Sequence, residues 1–209
     1  MKKILVVGSG LSGSVISRKL AENGNFSITV IEKRDEIGGN VFDYINSKGI
    51  KIHKYGPHLF HTNNKKVVDF ILKYSDWIEY KHKVKAILKN GKYVTLPVNK
   101  ETKNIVGEEN IIETFYRPYS EKMWGIKLEE LSPDIINRVP IRNDNNEYYF
   151  PDDKFQFIPK NGYTHFINNL LDHKNIIIKT KTTFEKKMEN SFDYVFNSMP
   201  IDKYYNFQY

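Results

Sequence analysis

Two hydrophobic periods alternate through the first thirty or so residues. "KILVVGSG" is a short apolar run that ends in glycine, the pattern of a buried strand. "LSGSVISRKLAENG" then places Leu11, Val15, Ile16 and Leu20 at helical spacing and stops at Gly24. "FSITVIEKR" returns to strand pattern. A strand, a helix and a second strand in so short a span predict a β-α-β unit, the start of a parallel sheet.

Further along, "GIKIHKYG" alternates like another strand. "NKKVVDFILKYSDW" reads as a helix with Val68, Ile71, Leu72 and Ser75 on one side. "KVKAILKNGKYVTLPV" holds two alternating runs joined by Asn90-Gly91, which predicts a hairpin closed by a two-residue type I′ turn. "EENIIETFYRPYSEKMW" keeps helical spacing through Ile111, Phe115, Tyr119 and Met123, with Pro118 marking a kink or a boundary. Ser132-Pro133-Asp134 is a helix start that Pro140 limits. "EYYF" and "FQFIP" read as short strands, "GYTHFINNLLDH" as a helix, and "NIIIKT" and "FDYVFNSMP" as strands. Sheet pattern therefore occupies both ends of the chain, with mixed structure inserted between.

Composition narrows the chemistry. The 209 residues contain no cysteine, which excludes disulfides, thiolate metal sites and cysteine nucleophiles. No apolar run approaches the ~18 residues of a membrane span. The N-terminus begins like a signal peptide, but glycines interrupt its apolar run early, so it reads as a strand and the protein as cytoplasmic. A net charge of +7 admits nucleic acid, acidic lipid or phosphorylated small molecules as partners. The lysines are dispersed, with a weak basic and aromatic run only around Tyr80–Lys85, so a solvated surface without a nucleic-acid partner is expected.

Gly8, Gly10 and Gly13 form G-x-G-x-x-G directly after a strand and at the opening of a helix. The first glycine serves the tight turn, the second the approach of backbone to a pyrophosphate, the third helix–strand packing. Glu32 ends the second strand, where a carboxylate accepts ribose hydroxyls and disfavours a 2′-phosphate. Gly38-Gly39 follow soon after, a spacing more typical of FAD proteins than of NAD dehydrogenases. The expected fold is α/β: a Rossmann-like FAD-binding domain with a parallel sheet, plus a small inserted helical or mixed substrate domain.

"HKYGPHLFHT" holds His53, His58 and His61. Their spacing, without nearby carboxylates, fits a metal poorly. Contact with a flavin or sugar and plain structural roles both remain open. Tyr119 and Trp124 lie five apart, roughly 140° around a continuous helix, so they can share a pocket only if the helix ends near Trp124, and Gly125 suits such an end. Arg138 and Arg142 flank Pro140, and either surface ion pairs or a bidentate grip on a diphosphate would use them.

In the same order along the chain, "VVGSGLSGSV", "VIEKRDEIGGN", "IHKYGPHLFHT", "YSEKMWG", "RVPIR" and "IPKNGYTHFI" resemble UDP-galactopyranose mutase. The resemblance implies a flavin-dependent isomerase that interconverts UDP-galactopyranose and UDP-galactofuranose, in cell-surface polysaccharide biosynthesis. It implies a covalent flavin–sugar adduct on reduced FAD, with no net redox change. It assigns Gly8, Gly10, Gly13, Glu32, Lys33, Gly38, Gly39, Asn40, His58 and His61 to FAD. Tyr119, Trp124, Arg138 and Tyr149 are assigned to the nucleotide sugar, with His61 and Arg138 as the catalytic groups and no metal.

The resemblance divides the chain into an FAD-binding part at 1–82, a hairpin and shortened helical substrate domain at 83–150, and a return to the sheet domain at 151–209. Compared with the family, the helical insert is short. The family also continues beyond "PIDKYYNF", with a second phosphate-binding arginine, further substrate tyrosines and a glycine segment returning to the flavin. A homodimer is one assembly this leaves open, as is a flavin- or nucleotide-binding relative without turnover. An FAD oxidoreductase of the amine-oxidase type shares the glycine fingerprint, but the "YSEKMWG…RVPIR" pairing argues against it.

Overall fold

The computed structural model describes residues 1–136 and 140–208. The chain runs β1 (Lys2–Val7), α1 (Leu11–Asn23), β2 (Phe26–Ile31), β3 (Asp43–Ile45), β4 (Lys51–His53), β5 (Phe60–Thr62), α2 (Lys65–Ile71) and β6 (Trp77–Glu79). It continues through β7 (Val84–Ile87), β8 (Tyr93–Leu96), α3 (Lys100–Val106), α4 (Arg117–Trp124) and α5 (Pro133–Ile136). It returns as β9 (Phe155–Pro159), α6 (Tyr163–Leu171), β10 (Ile176–Lys179), β11 (Tyr194–Asn197) and α7 (Ile201–Tyr204). Two compact units result: one of residues 1–79 and 157–209, the other of residues 80–156.

The first unit is built on a parallel sheet in the order β10-β2-β1-β11. Alternation along β1 decides its two faces. Ile4 and Val6, with Ile28 and Val30 of β2, pack on Phe166, Ile167, Leu170 and Leu171 of α6. Leu5, Val7 and Ile31 pack on the opposite side against Phe184, Met188, Phe192 and Val195. The buried residues of α1 are Gly13, Ser14, Ser17 and Ala21. Its larger apolar residues, Val15, Ile16 and Leu20, only flank the core. Small residues let this helix approach the sheet closely, and the Ser17 hydroxyl returns to the Gly13 carbonyl at 2.7 Å.

Smaller sheets complete the unit, β3-β4 and β5-β9-β6. Asp43 at the start of β3 ties one of them to α6. Its carboxylate accepts from the backbone N–H groups of Tyr163 (2.7 Å) and Thr164 (2.9 Å). The N-cap position itself is Gly162, which has no side chain to offer, so a distant carboxylate satisfies the orphan donors. On α2, Val68 and Ile71 are buried as expected, but the helix ends there and Leu72 is exposed.

The second unit carries its own small core of Val98, Ile111 and Tyr116, with Leu96, Ile112 and Phe115 packed beside it. The β7–β8 hairpin is present, but its turn differs from the expected type I′, which needs positive φ at both central residues. Only Gly91 is left-handed there (φ 81°), and Leu88 and Lys92 close a three-residue loop. "EYYF" forms no strand; Tyr148 makes one isolated bridge to Lys83.

A π-helical turn at Ile112–Tyr116 precedes α4. It inserts one extra residue into the helical ladder. The buried positions accordingly run Ile111, Tyr116, Ser120 rather than Ile111, Phe115, Tyr119, and Met123 falls outside. Pro118 sits in the first turn of α4, directly after the π-helical turn.

Candidate functional site

A cleft of about 910 Å³ opens at the C-terminal ends of β1 and β2, entirely within the first unit. In an open parallel sheet this is the edge where ligands bind. Gly8, Gly10, Glu32, Lys33, Gly38, Gly39, Asn40 and His58 all line it. Gly13 does not; it lies behind the wall.

Each glycine meets a distinct steric demand. Gly8 has φ +97°, and a Cβ there would strike the Ser198 hydroxyl. At Gly13 a Cβ would overlap the Gly8 carbonyl oxygen and crowd Val6 Cγ1 at 3.3 Å. Gly39, at φ +57°, faces Gly10 so closely that a Cβ would sit 2.9 Å from the Gly10 Cα. The two glycine turns thus close on each other as bare backbone. Gly10 is also the N-cap of α1 and provides no capping side chain, and Leu11 and Ser12 line the cleft from the first turn. Their N–H groups and the helix dipole form an electropositive end.

Glu32 is 6% exposed. Its Oε2 accepts from the Ser9 N–H (3.0 Å) and hydroxyl (2.9 Å), and its Oε1 from the Arg34 N–H (3.0 Å). Those three bonds fix the carboxylate and leave about one of its four lone-pair sites. Ser9 lies inside the glycine fingerprint, yet nothing in the motif marks it as the residue that orients the acid. Among the described residues, Glu32 is the only carboxylate of the lining; against it stand Lys33, Arg34, Lys186 and Lys203. Arg34 is held over the Tyr55 ring at 4.3 Å, with Nη2 donating to Asn40 Oδ1 at 3.2 Å. Sequence reasoning missed the far wall, which Thr182, Phe184, Lys186, Ser198, Lys203 and Tyr204 supply. These residues belong to no local motif, and only the return of β10 and β11 to the sheet brings them there.

His58 reaches the cleft with its Nδ1 2.8 Å from the Gly56 carbonyl. A carbonyl only accepts, so Nδ1 carries a proton. His61 is exposed on β5 and is not part of the cleft lining.

The other sequence-derived residues lie in the second unit. Tyr119 is 62% and Trp124 54% exposed. The helix α4 ends at Trp124 with Gly125 left-handed (φ 70°) and its N–H on the Glu121 carbonyl, the termination that the five-residue spacing requires. Arg117 braces this corner through Glu113, Glu121 and Glu129, at 2.9, 3.2 and 2.7 Å. Tyr149 sits beside His82 and Phe150, with ring centroids 5.7 and 4.9 Å away. Burial pushes the His82 imidazole below its ordinary value. Arg138 lies outside the described residues.

Arg142 corrects an expectation. It is 9% exposed, and its fork holds the carbonyls of Tyr148 (2.8 Å) and Tyr149 (3.3 Å). Those nitrogens brace the backbone rather than wait for a diphosphate.

Two family models match the chain: UDP-galactopyranose mutase over residues 114–209 and an NAD(P)-binding Rossmann-like domain over residues 6–74. A Klebsiella pneumoniae protein named "Probable UDP-galactopyranose mutase" is 34% identical over all of this chain and 63% of its own length. The dTDP-fucopyranose mutase of Escherichia coli is also 34% identical, over all of this chain and 66% of its own. A crystal structure of reduced UDP-galactopyranose mutase superposes with a TM-score of 0.67 at 16% identity, over 99% of this chain and 57% of that one. The chain spans a little under two thirds of the length of these curated relatives. Fold, motif order and whole-chain similarity agree that it belongs to the UDP-galactopyranose mutase family.

Proposed function

We propose that the cleft takes the ADP half of FAD, and that this chain is the flavin- and nucleotide-sugar-binding part of an enzyme interconverting UDP-galactopyranose and UDP-galactofuranose. The observation that carries the reading is the cleft: apposed glycine backbones, an uncapped helix N-terminus, one oriented carboxylate and four cations. The residues present fit the group. A diphosphate suits the helix end and the cations, and the remaining acceptor site of Glu32 suits a ribose hydroxyl. Gly8, Gly10, Gly38, Gly39, Lys33 and Asn40 act from the walls, with Gly13 setting how closely α1 packs on Gly8 and Val6.

The chemistry that FAD supplies when bound and reduced is nucleophilic, directed at the anomeric carbon of the sugar, with no net redox change. The protein's part is to bind, orient and neutralise charge. His58 stands in the cleft lining with its Nδ1 proton held by the Gly56 carbonyl. Trp124 and Tyr119 offer stacking faces to uracil, Tyr149 lines the sugar, and Arg138 neutralises the diphosphate, with His61 beside the flavin. The division at 1–82, 83–150 and 151–209, a cytoplasmic location, a role in cell-surface polysaccharide synthesis and a homodimeric assembly belong to this same reading. No helix among the described residues is long and apolar enough to cross a membrane.

The test is direct. Purified protein should show a flavin absorption spectrum, and dithionite-reduced protein should convert UDP-galactofuranose to UDP-galactopyranose by chromatography. Flavin without turnover would leave a binding protein; no flavin under saturating FAD would refute the cleft assignment. The equal identity to the dTDP-fucopyranose mutase supports a second reading, a dTDP-6-deoxyhexose substrate. Competition between UDP and dTDP for the protein separates the two.

A further inference from the structure

The last residue of β4, His53, stands opposite Asp43 in the β3–β4 ladder. It is partly buried, with its ring edge-on to Tyr163 at 5.8 Å. Its Nδ1 lies 3.2 Å from the backbone nitrogen of His58, which donates to it. Accepting that bond requires a lone pair on Nδ1, so His53 is the neutral tautomer with its proton on Nε2. His58, by contrast, carries a proton on Nδ1, directed at the Gly56 carbonyl. Between the two rings runs a four-residue loop with Gly56 at φ +99°. The loop is tied at its start by the Lys54 N–H to the Phe42 carbonyl and by the Lys54–Glu36 ion pair. At its far end, the bond to His53 anchors the residue that reaches the cleft.

We propose that His53 is a positioning residue for the cofactor cleft: its neutral Nε2–H form holds the His58 backbone in place, and protonation of His53 releases it. Once Nδ1 gains a proton it becomes a donor facing a donor, and the bond is replaced by repulsion. The surroundings set where this happens. Burial disfavours the imidazolium most; the Asp43 carboxylate across the ladder favours it, and His58 and Lys51 oppose it. Tyr163, packed against the ring from α6, is uncharged, because burial raises its phenol far above neutrality. Asp43 has both carboxylate oxygens committed to the α6 N–H groups, so it stays a fixed neighbour rather than a new partner. His53 is therefore neutral near pH 7 and gains its proton only below its ordinary value of 6.5.

The ligand readout rests on the flavin assignment above; the spectroscopic ones do not. In the full chain, long-range proton–nitrogen spectra should show an unprotonated Nδ1 on His53 and a protonated Nδ1 on His58. Exchange of the His58 amide, corrected for intrinsic rate, should accelerate about tenfold as His53 titrates, the scale of one lost hydrogen bond. In His53→Asn the Oδ1 occupies the Nδ1 position and cannot titrate. That variant should keep both amide protection and FAD affinity and lose the pH dependence. His53→Phe should expose the His58 amide at every pH and weaken FAD binding severalfold. A protonated Nδ1 on His53 would overturn the proposal, as would an undiminished pH dependence in His53→Asn. Failure of the wild-type chain to bind FAD would instead refute the flavin assignment and leave the amide and tautomer results to decide this one. Should His53→Phe fail to fold, His53→Asn still decides it.

Discussion

Gly13→Ala tests the packing on which the cleft depends. On an exposed helix this change stabilises by up to about 1 kcal/mol, because alanine loses less backbone entropy. Here the sign should reverse. The new Cβ would overlap the Gly8 carbonyl oxygen, approach the Gly8 carbonyl carbon to 3.0 Å and meet Val6 Cγ1 at 3.3 Å. Carbon–carbon contacts are optimal at roughly 3.5–4 Å, so α1 must retreat by on the order of 1 Å. Ser14, Ser17 and Ala21 of the same face, all buried, would lose contact with it. Overpacking of this kind costs about 1–3 kcal/mol, which outweighs the propensity gain or at best matches it. The retreat also moves the first turn of α1 away from any diphosphate, so FAD affinity should fall at least about tenfold, the equivalent of 1.4 kcal/mol. Urea unfolding gives the first number, as a lower midpoint at unchanged slope, and fluorescence titration with FAD the second. A variant as stable as the parent, with FAD binding intact, would show that the helix does not lie against Gly8 as described.

Glu32→Gln replaces an acceptor of three bonds by a group that turns an NH₂ toward donors; a loss of about 1–3 kcal/mol in stability is expected by urea unfolding, with weaker FAD binding by titration. Asp43→Ala uncaps α6 and should cost about 1–2 kcal/mol, read as a lower urea midpoint. Trp124→Ala and Arg138→Ala should each weaken UDP binding by about 1–3 kcal/mol in calorimetry, and unchanged titrations in both would remove the nucleotide from the second unit. Burial holds the folded-state pKa of His53 below its ordinary value of 6.5. The unfolded chain then binds more protons between the two values, so this contribution is complete above about pH 6.5 and is lost as pH falls through the folded value. Stability curves of wild type and His53→Asn should diverge in that window.

The sequence made the first unit legible wherever a residue's role is local. The β-α-β period, the glycine fingerprint and the acid at the end of β2 each depend on a few neighbours, and the structure gathers them into one wall. What it hid depends on distance or on a shift of register. The helical spacing of Leu11, Val15, Ile16 and Leu20 predicts α1 but does not reveal its most buried positions, because a helix that approaches a sheet closely buries its small residues instead. A single π-helical residue rotated Tyr119 out of the face that the i+4 count gave it. The remote cap of α6 by Asp43 and the far wall of the cleft join residues more than a hundred positions apart, which no local window contains.

That division also determines how the proposed function can fail. The cleft lies within one compact unit and uses that unit's own core, so binding of the ADP half tests residues 1–79 and 157–209 alone. Tyr119, Trp124 and Tyr149 stand on the other unit, which is organised around a core of few large side chains. A core that small contributes little stability beyond the entropy of ordering its residues, so the aromatic platform is the more easily lost of the two. Limited proteolysis should therefore cut within residues 80–156 before it cuts the parallel sheet, and FAD should protect the first unit without slowing that cleavage. Should UDP alone slow it, the nucleotide binds where the aromatics are. Should FAD alone slow it to the same extent, the two units do not bind their ligands separately, and roles assigned unit by unit would have to be redrawn.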